Sequence, residues 1–368
     1  MCTLKKIQVP LPTSLLGPYD EWPHSMNINP FFIFFLLVPL SLLAELRLPK
    51  IVSDGMILQR NEKVAIWGWS DPGSAVKISF GKQELKAVAN AAGKWSVSLP
   101  PQPAGGTHTF VIGSKKERIV IKNVLFGDVW LCTGQSNMVH AFDRYTTIYP
   151  EEIANSTNDQ IRQFLVPTST NLLASQEDVS GGEWKVANPD NLLSFTVVGY
   201  FFAKQIHETY GIPVGIINAS VGGTPIEAWM AESAFQGFDD ILEEIEKNKD
   251  TAYVNSVNRK AAVIRSEHFS NSPVDPGLAS EPKWFEPEYV TTSWKSMTIP
   301  GYWEDQGIRE LDGTVWFRRA LDLPESLSGK EAFLEMGRII DADEFYINGQ
   351  KIGNTTYQYP PRRYDVPS

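Results

Sequence analysis

From Leu46 to about Lys122 the chain is written in short runs where apolar and polar positions alternate: VAIWGW, AVKISFG, NAAGKWSVSLP and HTFVIG. Turn signals such as Asp71-Pro72-Gly73 separate them. Period-2 alternation between such breaks predicts a small, all-β sandwich. At Val124 the pattern changes. VLFGDVWLCTG is a continuous apolar run ending on glycine, which predicts a buried parallel strand. SFTVVGYFFAKQIHETYG then has the spacing of an amphipathic helix closed by Gly211, and IPVGIINAS follows as a second apolar strand. Strand, helix, strand predicts an α/β unit. Around 271–287 the chain turns rich in Pro, Ser and charge, marking a boundary. Beyond it β alternation returns in WKSMTIPGYWEDQGI, GTVWFRRALDLP and KEAFLEMGRIIDADEFYINGQKIG, with Asn348-Gly349 as a hairpin turn. The predicted organisation is an extension with an export signal (1–44), a β-sandwich (45–122), an α/β core (123–285) and a second β-unit (286–368).

Composition narrows the function classes. With 42% hydrophobic and 21% charged residues, the 368-residue chain is an ordinary globular sequence. A net charge of −10 with no basic cluster argues against nucleic acid as a partner. The 11 Trp, 12 Tyr and 19 Phe lean toward sugar rings as ligands, although most such residues serve a core. Cys2 and Cys132 are the only cysteines, so no disulfide framework exists. FFIFFLLVPLSLL, Phe31 to Leu43, is as long as a signal-peptide core and shorter than a membrane span, so residues 26–44 are read as an export signal and the protein as secreted or periplasmic. The alternative is a buried N-terminal element. Asn155, Asn218 and Asn354 begin glycosylation triplets. No metal-ligand spacing, P-loop or dinucleotide fingerprint appears, and no cofactor or metal is expected.

The chemistry concentrates in GDVWLCTGQSNM, Gly127 to Met138. An apolar strand running into Gly134-Gln135-Ser136-Asn137 sets a hydroxyl at the strand's carboxyl edge, where open α/β sheets bind ligands. Ser136 is then either a nucleophile or simply the N-cap of the next helix. The segment is not a G-x-S-x-G elbow.

FGDVWLCTGQSNM resembles the first signature block of SGNH hydrolases of the sialate O-acetylesterase group. LPKIVSDGMILQR with VAIWGWSDPGS is similar to that group's N-terminal β-domain, and GYFFAKQIHETYGIPVGIINASVGGTPIEAWM to its next core block. WKSMTIPGYWEDQG, VWFRRALDLP and FYINGQKIGNT resemble a sugar-binding jelly roll inserted in the catalytic domain. The resemblance implies a flavodoxin-like, three-layer α/β core, preceded by a small β-sandwich and followed by a partial jelly roll. It also implies a serine esterase that removes O-acetyl groups from sialic acids or similar acetylated glycans. Ser136 would attack the acetyl carbonyl, with its own N–H and that of Gly222 or Gly223 holding the oxyanion. Gln135 and Asn137 would frame the nucleophile, and Glu227 and Trp229 would line the pocket. Each has a bland alternative: a turn for the glycines, core for Trp229, a solvated helix-start carboxylate for Glu227.

The sequence also departs from the group. Its triad is completed by an Asp-x-x-His block, and none of His24, His108, His140, His207 and His268 follows an Asp by three residues. His140, four residues after Ser136, would share a helical face with it without being aimed at its hydroxyl. The sequence is therefore read as the nucleophile half of such an esterase, stopping before the acid/base half. The competing readings are a xylan- or pectin-type acetylesterase and an inert fragment that only binds carbohydrate.

Overall fold

The computed structural model describes residues 45–115, 117–270, 274–311 and 313–367, with the side chains of 268–270 set aside. The predicted export signal, His24 and Cys2 lie outside the described residues. No described helix is long and apolar enough to cross a membrane.

The first part is all-β: β1 (Ile57–Gln59), β2 (Val64–Trp69), β3 (Ala75–Phe80), β4 (Gln83–Val88), β5 (Lys94–Leu99) and β6 (Gly105–Gly113). Strands β2 and β5 form an antiparallel pair, while β4, β3 and β6 form one end of a larger sheet. The alternation is realised side by side: in β5, Trp95, Val97 and Leu99 are buried and the residues between them are exposed. These strands enclose a core of Ile66, Val76, Ile78, Phe80, Leu99, Phe110 and Phe126.

Strand β7 (Arg118–Gly134) is 17 residues long and ties the first part to the second. Its first half pairs antiparallel with β6 and, over Leu125 to Gly127, parallel with β1. Its second half, Asp128 to Gly134, pairs parallel with β10 (Val214–Ser220). Residues 122 and 123 are thus neighbours inside one strand, and the predicted sandwich and core share its backbone. The eight-stranded sheet runs β4-β3-β6-β7-β10-β8-β9, with β8 (Asn158–Leu165) parallel to β10, β9 (Trp184–Ala187) an antiparallel edge, and β1 beside β7.

Helix α1 (Ser136–Val139) follows β7, and α2 (Pro150–Ala154) and α3 (Pro189–Leu192) are short connectors. Helix α4 (Val197–Tyr210) is the predicted amphipathic helix; Thr196 caps its start, and Gly211 ends it at φ 63° with its N–H on His207 O at 2.8 Å. Its Tyr200 and Ala203 pack with Val214 and Ile216 of β10 and Ile161 of β8 in a second core. Ile217 and Phe164, from the same two strands, pack in the first core instead. Side chains alternate across a strand, so β8 and β10 are covered on both faces, as parallel strands require. The mixed α/β class expected from the pattern is the one adopted.

Two helices were not anticipated from the sequence pattern: α5 (Asp239–Lys249) and α6 (Thr251–Ser270). No residue of α5 is fully buried, but Ile241, Leu242 and Ile245 lie half-buried at helical spacing, a stripe the sequence reading passed over. After α7 (Pro276–Ala279) come β11 (Ala332–Gly337), β12 (Asp343–Ile347), β13 (Gln350–Thr355) and β14 (Arg362–Val366), paired antiparallel as β11 with β14 and β12 with β13. The β12–β13 hairpin turns on Asn348 (φ 48°) and Gly349 (φ 84°), the positive pair such a two-residue turn needs.

Candidate active site

Strands β7 and β10 end in register, Ser220 opposite Gly134, so the turns leaving them emerge together. Gly134 has φ 135°, a conformation glycine adopts without the penalty a Cβ would bring. The chain turns sharply there into Gln135 and Ser136. Gly134 O accepts the Val221 N–H at 3.0 Å, which locks the second turn to the first. A Cβ placed on Gly222 would lie 3.7 Å from both Cα and Cβ of Ser136, so the Gly222 backbone lies against the serine. Gly223, at φ 75°, faces open space. Of the two glycines left open by the sequence, Gly222 is the one beside Ser136.

Ser136 is the first residue of α1 and half-buried; its hydroxyl has no hydrogen-bond partner among the described residues. The N-cap position belongs to Gln135, whose side chain caps nothing. Gln135 instead reaches across and donates from Nε2 to Thr224 O. Thr224 Oγ1 donates to Val221 O at 2.9 Å and accepts Trp229 Nε1–H at 3.0 Å. Thr224 therefore joins Gln135, the Gly222 turn and Trp229, a role the sequence reading missed. Asn137 and Glu227 are exposed, and their side chains make no hydrogen bond among the described residues.

His140 closes α1, its N–H on Ser136 O at 3.0 Å. Its ring is engaged elsewhere: Nδ1 lies 2.6 Å from Tyr145 OH, and Nε2 is buried without a partner among the described residues. Arg338 Nη2 donates to the same Tyr145 oxygen at 3.3 Å. That leaves the phenol hydrogen for Nδ1, and the network assigns the ring proton to Nε2. Burial holds the His140 pKa below the ordinary imidazole value, and the nearby Arg144 and Arg338 cations add to this against Asp143. Two other imidazoles are described. His207 Nδ1 lies 2.7 Å from Ile212 O, and His108 sits edge-on between Phe80 and Phe126. No described imidazole is hydrogen-bonded to Ser136. Of the glycosylation triplets, Asn218 is buried in β10 with Oδ1 on Ser220 Oγ, which closes it to a glycan; Asn155 and Asn354 are exposed.

A hydroxyl free of structural duties, at the carboxyl edge of a parallel sheet beside a second backbone turn, is an arrangement suited to acyl transfer. Residues 126–264 match the family model described as carbohydrate esterase, sialic acid-specific acetylesterase. The chain is 29% identical to the sialate O-acetylesterase of Pongo abelii over 226 residues, which is 55% of this chain and 43% of that protein. It is 28% identical to the Homo sapiens sialate O-acetylesterase over the same shares. A crystal structure of a novel carbohydrate acetylesterase from Xanthomonas citri is 39% identical, with a TM-score of 0.50, covering 52% of this chain and 44% of that one. The likeness to sialate O-acetylesterases read from the motifs is thereby shown. The chain spans less than half the length of the curated relatives it matches.

Proposed function

We propose that this chain carries the nucleophile site of a serine carbohydrate esterase acting on O-acetyl groups of sialic acids or similar acetylated sugars. The observation that carries it is the pairing of Ser136, its hydroxyl without a partner among the described residues, with the Gly222 backbone across the β7–β10 edge. Ser136 Oγ adds to the acetyl carbonyl, and the sugar oxygen leaves with a proton. Water then releases acetate from the acyl-serine. The N–H groups of Ser136 and Gly222 hold the oxyanion; a donor of this kind is worth about 10²–10³ in rate. Gln135, fastened to Thr224, fixes the two turns relative to one another. Trp229, half-exposed on the rim, offers an aromatic face to the sugar. Asn137, Gly223 and Glu227, all exposed at the same edge, complete the rim. The serine proton needs a base, and His140, committed to Tyr145, does not supply it. Residues 286–368 are read as part of a sugar-binding insert, and the protein as secreted or periplasmic on the strength of residues 26–44.

The test is acetylation of the protein by 4-nitrophenyl acetate, followed by peptide mass spectrometry, alongside acetate release from an O-acetylated sialic acid. An acetyl group on the Ser136 peptide, absent from Ser136→Ala, is the expected result; acetate release by the chain is expected to be slow, since no described imidazole serves the serine, and to vanish in the same variant. Loss of a triad member lowers rates by several orders of magnitude, so release that survives Ser136→Ala overturns the assignment.

A further inference from the structure

Thr224 makes more hydrogen bonds than closing a turn requires. Its carbonyl accepts from Gln135 Nε2, the side chain next to the nucleophile. Its hydroxyl donates to Val221 O at 2.9 Å and accepts the Trp229 indole N–H at 3.0 Å. The direction of this short chain is fixed: an indole nitrogen only donates and a carbonyl only accepts, so the single hydroxyl proton lies toward Val221 O.

Val221 O and the Gly222 N–H belong to one peptide unit. That unit is planar and trans, so its carbonyl and its N–H point in opposite directions, and whatever holds the one aims the other. The Val221 N–H is itself held by Gly134 O at 3.0 Å, so Val221 is pinned on both sides. The Gly222 N–H makes no hydrogen bond among the described residues. It belongs to the stretch of backbone that lies on the nucleophile, where an added Cβ would be 3.7 Å from Cα and Cβ of Ser136. Glycine has no side chain to restrain its backbone, and Gly223 beyond it faces open space, so the orientation of this peptide depends on the bond at its carbonyl. A carbonyl that accepts a hydrogen bond also polarises its peptide, which strengthens the N–H as a donor.

We infer that Thr224 is a positioning residue for acyl transfer: its hydroxyl, braced by Trp229, fixes the Val221–Gly222 peptide so that the Gly222 N–H meets the oxyanion formed at Ser136. The inference rests on the esterase reading above and adds to it the side chain that aims the second oxyanion donor. Thr224 touches no reacting atom and acts through the peptide. Trp229, on the rim, shares the same support.

The full chain and its Thr224→Val and Thr224→Ser variants, treated with 4-nitrophenyl acetate over a range of concentrations, test this by the rate at which the Ser136 peptide gains an acetyl group. Valine keeps the branched shape and loses the hydroxyl. Removing an oxyanion donor outright costs about 10²–10³ in rate, so a donor present but no longer aimed is expected to cost about tenfold to a hundredfold. The loss is expected in the limiting rate, with the half-saturating ester concentration unchanged, because the bond is made in the transition state. Thr224→Ser, which keeps donor and acceptor, is expected to recover most of the rate, and Thr224→Ala, which adds no bulk to the turn, to match Thr224→Val. Heteronuclear NMR of the indole N–H groups reports the bond independently of activity. The Trp229 signal, assigned by its absence from Trp229→Phe, is expected to move in Thr224→Val and to stay in Thr224→Ser, while the other indole signals hold their places and show the fold intact. An unchanged rate in Thr224→Val or Thr224→Ala, an equal loss in Thr224→Ser, or a loss confined to the half-saturating concentration overturns the inference and leaves the esterase reading standing. A parent chain that gains no acetyl group at Ser136 overturns both.

Discussion

Replacing Arg162 by Met removes a buried charge whose bonds join three separate stretches of chain. Arg162 is in β8 and is 0% exposed. Its Nε donates to Asp159 O at 2.7 Å, Nη1 to Gly55 O at 2.7 Å and Asn123 O at 2.6 Å, and Nη2 to Asn123 Oδ1 at 3.0 Å. The guanidinium thus fastens the loop before β1 and the middle of β7 to β8. Burial lowers its proton affinity, but an arginine stays charged, so the bonds are charge-assisted. Each such bond contributes roughly 1.5–3 kcal/mol net. Four at the lower end sum to about 6 kcal/mol, and relief of the cation's desolvation offsets part of that. Methionine fills the stem's volume, so little of the loss comes from a cavity. The expected destabilisation is about 3–5 kcal/mol, a large share of the ~5–15 kcal/mol that folded domains have. Urea unfolding followed by tryptophan fluorescence measures it, since Trp184 packs on the neighbouring strand. Arg162→Lys, which keeps the charge and loses the fork, should recover little. A loss below about 1 kcal/mol for Arg162→Met would refute the reasoning, because desolvation would then cancel the four bonds.

Gly127→Ala tests the crossing that sets β7 beside β10. Its Cβ would lie 2.0 Å from Pro213 O, which accepts the Asp128 N–H, so the strands must part; a fall of about 1–3 kcal/mol in a thermal melt is expected. Gly223→Ala, in open space at φ 75°, should cost only about 1 kcal/mol. A larger effect at Gly223 than at Gly127 would contradict the packing described. The lowered His140 pKa makes the folded state bind fewer protons than the unfolded chain just below 6.5. Stability from this ring, which faces Tyr145, Arg144, Arg338 and Asp143, is full above 6.5 and lost as the pH falls toward the lowered value. Melting temperatures recorded between pH 7.5 and 5 should drop more steeply in the parent than in His140→Asn, and parallel curves would count against the assignment.

The sequence by itself determined the local elements and the chemistry-bearing turn. Strand alternation, the glycine stop of α4, the Asn348-Gly349 hairpin and the placement of Ser136 at a strand end all follow from periodicity and turn chemistry over a few residues, and the structure has each of them. What needed the tertiary structure depends on residues far apart in the chain. That Gly222 rather than Gly223 lies on Ser136 follows from the β7–β10 register, which two isolated strands do not encode. That one 17-residue strand serves both the sandwich and the core follows from its pairing with β6 and with β10 on different stretches. Helix α5 was legible in the spacing of Ile241, Leu242 and Ile245 and was passed over, whereas α6 spreads its apolar residues around the helix and carries no clear stripe. Arg338 meets Tyr145 across 193 positions, and no pattern in either neighbourhood announces it. Hydrophobic period is a property of neighbours along the chain; a site is a meeting of distant residues, set by which sheet edges and loops the packed cores bring together.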